Sequence, residues 1–205
     1  MRCIILADEP GWEALFEDKE AFVEIVTETS FEAFCQQQGD AYFDLREEAW
    51  EFPENPFSNP LFVAGVVGTL HQHKAAENVV RLNYWPGMLE RKTLECVGDK
   101  KIQTEAETIL KALNKTAEWL PDIPGMISPR VLSMIINEAW FAWGEKISSK
   151  QDIDTAMKLG TNYPMGPFEW GEKIGLHRVC HLLSELSTES TRYNIAPSLL
   201  IEVGL

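Results

Sequence analysis

Hydrophobic positions in the first 120 residues form short runs that polar residues separate. A continuous apolar run such as residues 2–7 is typical of a strand buried on both faces of a sheet. Six more strands are predicted, at residues 22–26, 41–45, 61–67, 79–85, 93–97 and 117–120. Helices are predicted between them, at residues 12–22, 31–38 and 105–114, with a further one holding His71 and His73. Strands that alternate with short helices predict an α/β domain with a mostly parallel sheet.

The pattern changes after the hinge at residues 121–125. Ser128 and Pro129 are typical of a helix start, and apolar residues then recur at helical spacing through Leu132, Ile136 and Trp140. Helices are predicted to end near Lys146, Leu159, Ile174 and Leu186, and a last one spans residues 197–203. The sequence therefore predicts an α/β domain over residues 1–122 followed by an all-α domain over residues 123–205.

Acidic residues and prolines cluster between the third and fourth predicted strands. This composition predicts an exposed connector. Its residues are Glu47, Glu48, Glu51, Pro53, Glu54, Pro56 and Pro60.

The charge of the chain limits its partners. The formal net charge is −14 over 205 residues. Phosphate-rich partners would be repelled over most of the surface, so we expect neither nucleic acid nor an anionic membrane as partner. An anionic small molecule needs only a local positive site and stays possible as a ligand.

Cysteine usage and targeting signals bear on the compartment. Cys3, Cys35, Cys96 and Cys180 form no C-x-x-C pair, and small buried hydrophobes are the favoured interpretation of all four. The sequence shows neither a signal peptide nor an apolar run long enough for a membrane span. We therefore expect a reduced, cytoplasmic protein.

The turn after the first strand lacks the features of a dinucleotide-binding loop. Such a loop reads G-x-G-x-x-G, so that backbone amides can approach a pyrophosphate at a helix start. Here the turn reads Ala7-Asp8-Glu9-Pro10-Gly11, with one glycine and two carboxylates. Because those carboxylates would repel a phosphate, no residue is assigned to cofactor binding. The first domain is thus interpreted as a shortened Rossmann-like fold.

Residues 152–169 carry the most specific motif in the chain, reading D-I-D-T-A-M-K-L-G-T-N-Y-P-M-G-P-F-E. Two helices and a turn are predicted, with a capping box from Ser149 and Asp152, Gly160 after the first helix, and Pro167 opening the second. The motif closely resembles the signature of the C-terminal domain of the 3-hydroxyacyl-CoA dehydrogenase family. That resemblance implies an NAD-dependent oxidoreductase of fatty acid metabolism, acting on a 3-hydroxyacyl-CoA, with the helical domain as a dimer interface.

The resemblance also implies positions for the catalytic residues. The glutamate of the family falls on Glu95, and the histidine that takes the hydroxyl proton falls on Asn83. The serine segment N-T-S-S-L falls near residues 59–62, and the asparagine of the G-F-I-V-N-R segment falls on Pro129. Three of these four positions therefore differ from the family pattern. For Glu95, a strand-end carboxylate that faces solvent or pairs with Arg91 or Lys92 is an equally supported interpretation.

Histidines offer a weaker candidate for chemistry. His177, Cys180 and His181 have a spacing that can bind zinc on a helix, but a partly exposed helix face is the favoured interpretation. His71 and His73 would point apart on a helix. No metal site is therefore predicted.

Two functions remain open from the sequence. One is an NAD-dependent dehydrogenase of the family. The other is a catalytically silent relative, a pseudoenzyme that keeps an acyl-CoA-binding or a dimeric interaction role. The aromatic residues of the helical half favour a homodimer through that half, although core packing accounts for them by default. They are Trp140, Phe141, Trp143, Tyr163, Phe168 and Trp170.

Overall fold

The computed structural model describes residues 1–48 and 56–205. The chain divides into two compact units, Met1–Met126 and Ile127–Leu205. The predicted boundary, after residue 122, lies four residues before this division. Of the predicted connector, Glu51, Pro53 and Glu54 lie outside the described residues.

The first unit is built on a seven-stranded sheet. Its strands are β1 (Arg2–Leu6), β2 (Glu24–Glu28), β3 (Ala41–Asp44), β4 (Leu61–Ala64), β5 (Val79–Leu82), β6 (Thr93–Val97) and β7 (Thr116–Trp119). Their spatial order is β2-β1-β3-β4-β5-β6-β7, and every neighbouring pair is parallel except β5 and β6. The predicted mostly parallel α/β sheet is thus confirmed.

The sheet is buried on both faces. Successive side chains of a strand point to opposite faces, and each face packs against an apolar cluster. On β1, Cys3 and Ile5 belong to the larger apolar cluster, whereas Ile4 and Leu6 belong to the cluster on the other side. The helix α2 (Lys100–Ala112) contributes to the first cluster and α1 (Phe31–Gln36) to the second. The continuous apolar runs of the sequence follow from this double burial.

The strand order places a topological switch point between β1 and β3, since the chain leaves β1 for β2 on one side and then returns to β3 on the other. In the dinucleotide-binding order 3-2-1-4-5-6, a further strand lies beyond the second. Among the described residues of this chain, β2 is the edge. The first unit is therefore a shortened version of that sheet.

Two predicted helices of the first unit are wrong. Residues 12–22 form only a 3-10 helix, Trp12–Leu15. The segment that holds His71 and His73 forms turns, because its backbone N–H groups donate to side chains and Lys74 adopts a positive φ of 51°.

The second unit is all-α. Its helices are α3 (Ser128–Gly144), α4 (Lys150–Thr161), α5 (Pro167–Ile174), α6 (Leu176–Ser187) and α7 (Pro197–Val203). Asn137 on α3 links it to the segment before α7, donating to the Asn194 carbonyl at 2.9 Å and accepting from the Ala196 N–H at 2.8 Å. The prediction that Gly160 follows the end of α4 is wrong, because α4 runs to Thr161 and Asn162 takes the left-handed conformation, with φ 55°. No helix in the described parts of the chain combines the length and apolarity that a bilayer span requires.

Candidate active site

The turn after β1 lies at the switch point, where open α/β sheets bind their ligands. Gly11 has a φ of 105°, and its N–H donates to the carboxylate of Glu13 at 2.8 Å. The four-residue 3-10 helix Trp12–Leu15 follows. An amide that could meet a pyrophosphate is therefore bound to a carboxylate of the chain itself.

This turn does not fit NAD, the cofactor that the resemblance to 3-hydroxyacyl-CoA dehydrogenases implies. A pyrophosphate needs free amides at the start of a helix several turns long, whose dipole favours negative charge. Here the N–H of Gly11 is committed, the helix is one turn, and Asp8 and Glu9 add negative charge. The turn therefore offers no cradle for the pyrophosphate of NAD.

On the other side of the switch point, at the carboxyl end of β3, Asp44 and Arg46 form an ion pair. Asp44 ends β3 with 1% of its surface exposed, and Arg46 donates to its two oxygens at 2.9 and 2.7 Å. Burial raises the pKa of the Asp44 carboxyl above its ordinary value, although the hydrogen bonds from Arg46 oppose that shift. The Arg46 guanidinium also lies 5.2 Å from the ring centroid of Phe31. Both charged groups thus have partners inside the protein.

Asn83 and Glu95, the two positions assigned by resemblance to the proton acceptor and its partner, are in contact. The side-chain amide of Asn83 donates to Glu95 Oε2 at 3.2 Å, and the Asn83 backbone N–H donates to the Glu95 carbonyl at 3.1 Å. The Trp85 N–H donates to Asn83 Oδ1 at 3.3 Å. Because the carboxylate can only accept and the N–H can only donate, these partners fix the orientation of the amide. The catalytic role of either residue stays a prediction.

Residues 59–62, the predicted serine segment, do not join this pair. Residues 59–62 lie before and at the beginning of β4, whereas Asn83 follows the carboxyl end of β5, which runs parallel to β4. They therefore lie at opposite ends of the two strands. Pro129 lies in the first turn of α3, in the second unit.

Sequence reasoning missed a polar cluster beside the carboxyl end of β4. Glu48, placed in the exposed connector, is half-buried and accepts hydrogen bonds from three backbone N–H groups, those of Val66, Val67 and Gly68. Arg81 is fully buried within β5 and lies 3.7 Å from Asp122. The only available signal was an arginine inside the apolar run Val79-Val80-Arg81-Leu82.

The signature segment of the helical unit has a structural explanation. Asp154 on α4 is buried and accepts from the N–H groups of Phe168 and Glu169 at 2.8 and 3.3 Å, which caps the start of α5. Glu169 reaches back to the Gly166 N–H at 2.9 Å and pairs with Lys158. Each charged residue of this group joins α4 to α5.

The H-x-x-C-H segment on α6 divides between two faces. Cys180 is buried, whereas His177 and His181 are exposed. Burial raises the pKa of the Cys180 thiol to about 11, so it is protonated near neutral pH and a poor metal ligand. Within the described residues, no group of three or more histidine, cysteine or acidic side chains could hold a metal ion.

Comparison with known proteins supports the family resemblance of the motif at residues 152–169. The family model for the 3-hydroxyacyl-CoA dehydrogenase C-terminal domain matches residues 125–203. The 3-hydroxyadipyl-CoA dehydrogenase of Escherichia coli (strain K12) is 38% identical over 113 residues, 55% of this chain and 24% of that protein. The 3-hydroxybutyryl-CoA dehydrogenase of Clostridioides difficile is 33% identical over 132 residues, 62% of this chain and 47% of that protein. The chain thus covers about a quarter to a half of the length of these curated relatives.

A solved structure shows the same fold over most of the chain. The (S)-3-hydroxybutyryl-CoA dehydrogenase of Ralstonia eutropha superposes with a TM-score of 0.70 at 21% identity, covering 88% of this chain and 70% of that one. The fold of this chain is therefore the one that this dehydrogenase has. Residues 125–203 therefore belong to the family of 3-hydroxyacyl-CoA dehydrogenase C-terminal domains, and the chain is similar to 3-hydroxyacyl-CoA dehydrogenases over the stretches that these relatives match.

Proposed function

We propose that this chain is a catalytically silent 3-hydroxyacyl-CoA dehydrogenase relative, acting as an acyl-CoA-binding or dimeric interaction protein. The environment of Asn83 carries this proposal. Oxidation of a secondary alcohol needs a group that accepts the hydroxyl proton as the C–H bond breaks. An amide cannot take that proton, and both ends of the Asn83 amide are already bonded to Glu95 and Trp85.

The turn after β1 supports the same proposal. Cofactor positioning supplies a proximity term of roughly 7–11 kcal/mol, and a general base contributes roughly 10²–10⁴-fold to the rate. The Gly11 amide is bound to Glu13, which weakens cofactor positioning. Asparagine at residue 83 removes the general base. A single histidine at residue 83 would restore only the base.

A second candidate is a working NAD-dependent dehydrogenase of a 3-hydroxyacyl-CoA, the class of substrate that the names of the two curated relatives indicate. One observation favours it: Glu95 lies beside residue 83, where it could orient a catalytic group. This contact is compatible with a retained site and equally with a residue kept for folding.

NADH-dependent reduction of acetoacetyl-CoA distinguishes the two candidates. We expect no turnover from wild type, Asn83→His or Glu95→Gln, with the Clostridioides difficile relative as positive control. A fluorescence titration with NADH should show no saturable binding at micromolar concentrations. Wild-type turnover that falls in Glu95→Gln would refute the silent assignment.

Calorimetric titration with acetoacetyl-CoA then separates the two forms of the proposal. Saturable binding without turnover identifies an acyl-CoA-binding protein. If no heat of binding is measured, the result favours the role of a dimeric interaction protein.

A further inference from the structure

The backbone of residues 66–71 donates all six of its N–H groups to side-chain oxygens. Three go to Glu48, from Val66 at 2.6 Å, Val67 at 2.8 Å and Gly68 at 3.1 Å. The N–H of Thr69 donates to Gln72, and those of Leu70 and His71 donate to the two oxygens of Asp122 at 3.0 and 2.9 Å. Five of these six hydrogen bonds therefore end on a carboxylate oxygen.

The first three of these amides converge on one carboxylate. Successive N–H groups that converge in this way form an anion-binding concavity, and hydrogen bonds to an ionised acceptor are roughly twice as strong as neutral ones. Glu48 itself has a positive φ of 48°, and its own N–H donates to the Ala64 carbonyl at 3.2 Å. The carboxylate is thus delivered by a side chain from a distant part of the sequence, as a ligand would be.

Arg81 adds a positive charge next to this concavity. Its guanidinium is fully buried and donates to the carbonyls of Gly68 and Ile123, the latter at 2.7 Å. Asp122 lies 3.7 Å away. The Nε of Arg81 is buried and has no hydrogen-bond partner among the described residues. Arg81 is thus a buried cation beside the concavity, paired with Asp122, and its charge attracts a negative group bound by the three amides.

We propose that Val66, Val67 and Gly68 form an oxyanion-binding site that Glu48 occupies, and that a small carboxylate or phosphate enters when Glu48 withdraws. A tethered ligand competes at an effective concentration in the millimolar range. In the wild type, Glu48 therefore outcompetes external anions below that concentration and keeps the site closed to them. This inference concerns the first unit alone and goes beyond the proposed function, because it holds whether or not the chain turns over acyl-CoA.

The test compares wild type, Glu48→Ala and Glu32→Ala, a control that removes an exposed glutamate from α1. Sodium acetate, inorganic phosphate and sodium chloride are added at equal ionic strength, and the thermal unfolding midpoint is measured. We expect acetate or phosphate to raise the midpoint of Glu48→Ala above the chloride value, with half-saturation at roughly millimolar concentration. Wild type and Glu32→Ala should respond as they do to chloride.

The two anions distinguish the ligand classes. A response to acetate alone identifies a carboxylate site, and a response to phosphate alone identifies a phosphate site. Equal responses of Glu48→Ala to all three salts would refute the proposal.

A second variant covers the case in which Glu48→Ala does not fold in chloride. Recovery of its fold by acetate or phosphate supports the proposal. Without such recovery, Glu48→Gly, which also removes the carboxylate and suits the positive φ of 48° at this residue, is titrated instead while the amide resonance of Gly68 is followed. A saturable, anion-specific shift supports the site, and its absence overturns it.

Discussion

Gly166 is a single residue on which the connection between α4 and α5 depends. A Cβ atom built there would lie 2.3 Å from Cγ and Oδ1 of Asp154, the side chain that caps α5. Contacts that short do not occur in packed interiors. A side chain at residue 166 must therefore push Asp154 away from the N–H groups that it accepts from.

Gly166→Ala tests this packing, with Gly160→Ala as a matched control. Overpacking together with the loss of a cap should lower the free energy of unfolding by about 2–4 kcal/mol. Gly160 lies inside α4, and a Cβ added there would meet no atom within 4 Å, so alanine should stabilise the protein by about 0.5–1 kcal/mol. Urea unfolding followed by circular dichroism measures both variants, and equal effects would contradict the role of Asp154.

At the scale of elements, the pair of Lys158 on α4 and Glu169 on α5 predicts a pH dependence. The hydrogen bond from Lys158, followed by that from the Gly166 N–H, lowers the pKa of the Glu169 carboxyl below its ordinary value of 4.5. Because the folded-state pKa is the lower one, the stabilisation is present above about pH 4.5 and is lost as the pH falls through the folded-state value.

The urea midpoints of wild type and Glu169→Gln should therefore differ near neutral pH and converge in acid. In a Lys158→Met background the same substitution should have a smaller effect and a weaker pH dependence, since Lys158 is the main cause of the shift. A pH dependence that is unchanged by Lys158→Met would show that the ion pair is not its source.

Elements were predictable from sequence wherever the hydrophobic pattern alone decides them. The strand at residues 93–97 has the predicted bounds, and the last helix spans the predicted residues 197–203. The prediction of a helix at residues 12–22 was wrong because tertiary contacts override the local pattern. Leu15 and Phe16 are buried, and the Glu20 N–H donates to the Ala112 carbonyl at 2.8 Å.

The candidate site was predictable only in part for a related reason. The contact of Asn83 with Glu95 lies between neighbouring strands, so resemblance could place both residues. Glu48 and Asp122 reach residues 66–71 across separations of about 20 and 50 positions. No periodicity encodes such long-range capping, and Glu48 therefore looked like one more surface acid.

At the scale of the whole molecule, the aromatic residues of the helical half are partly explained by its own interior. Trp140 contacts Trp143 and Phe168 with ring centroids 5.3 Å apart in each case, and the Lys150 ammonium lies 4.0 Å from the Trp140 centroid. Apolar side chains are nevertheless exposed on the helical unit. They include Val131, Ile147, Leu159 and Ile201.

We expect these exposed apolar groups to be covered in a homodimer formed through the helical half. Leu159 is 83% exposed and Ile201 is 78% exposed, and burying such groups against a second copy removes apolar surface from water, which is favourable. Light scattering at micromolar concentration should give about twice the monomer mass of 23.3 kDa. The double variant Leu159→Glu and Ile201→Glu should shift the equilibrium towards monomer, whereas Phe22→Glu, which changes an exposed apolar residue of the first unit, should not. A wild-type mass of 23.3 kDa at these concentrations would count decisively against the dimer, because exposed side chains alone do not require a partner.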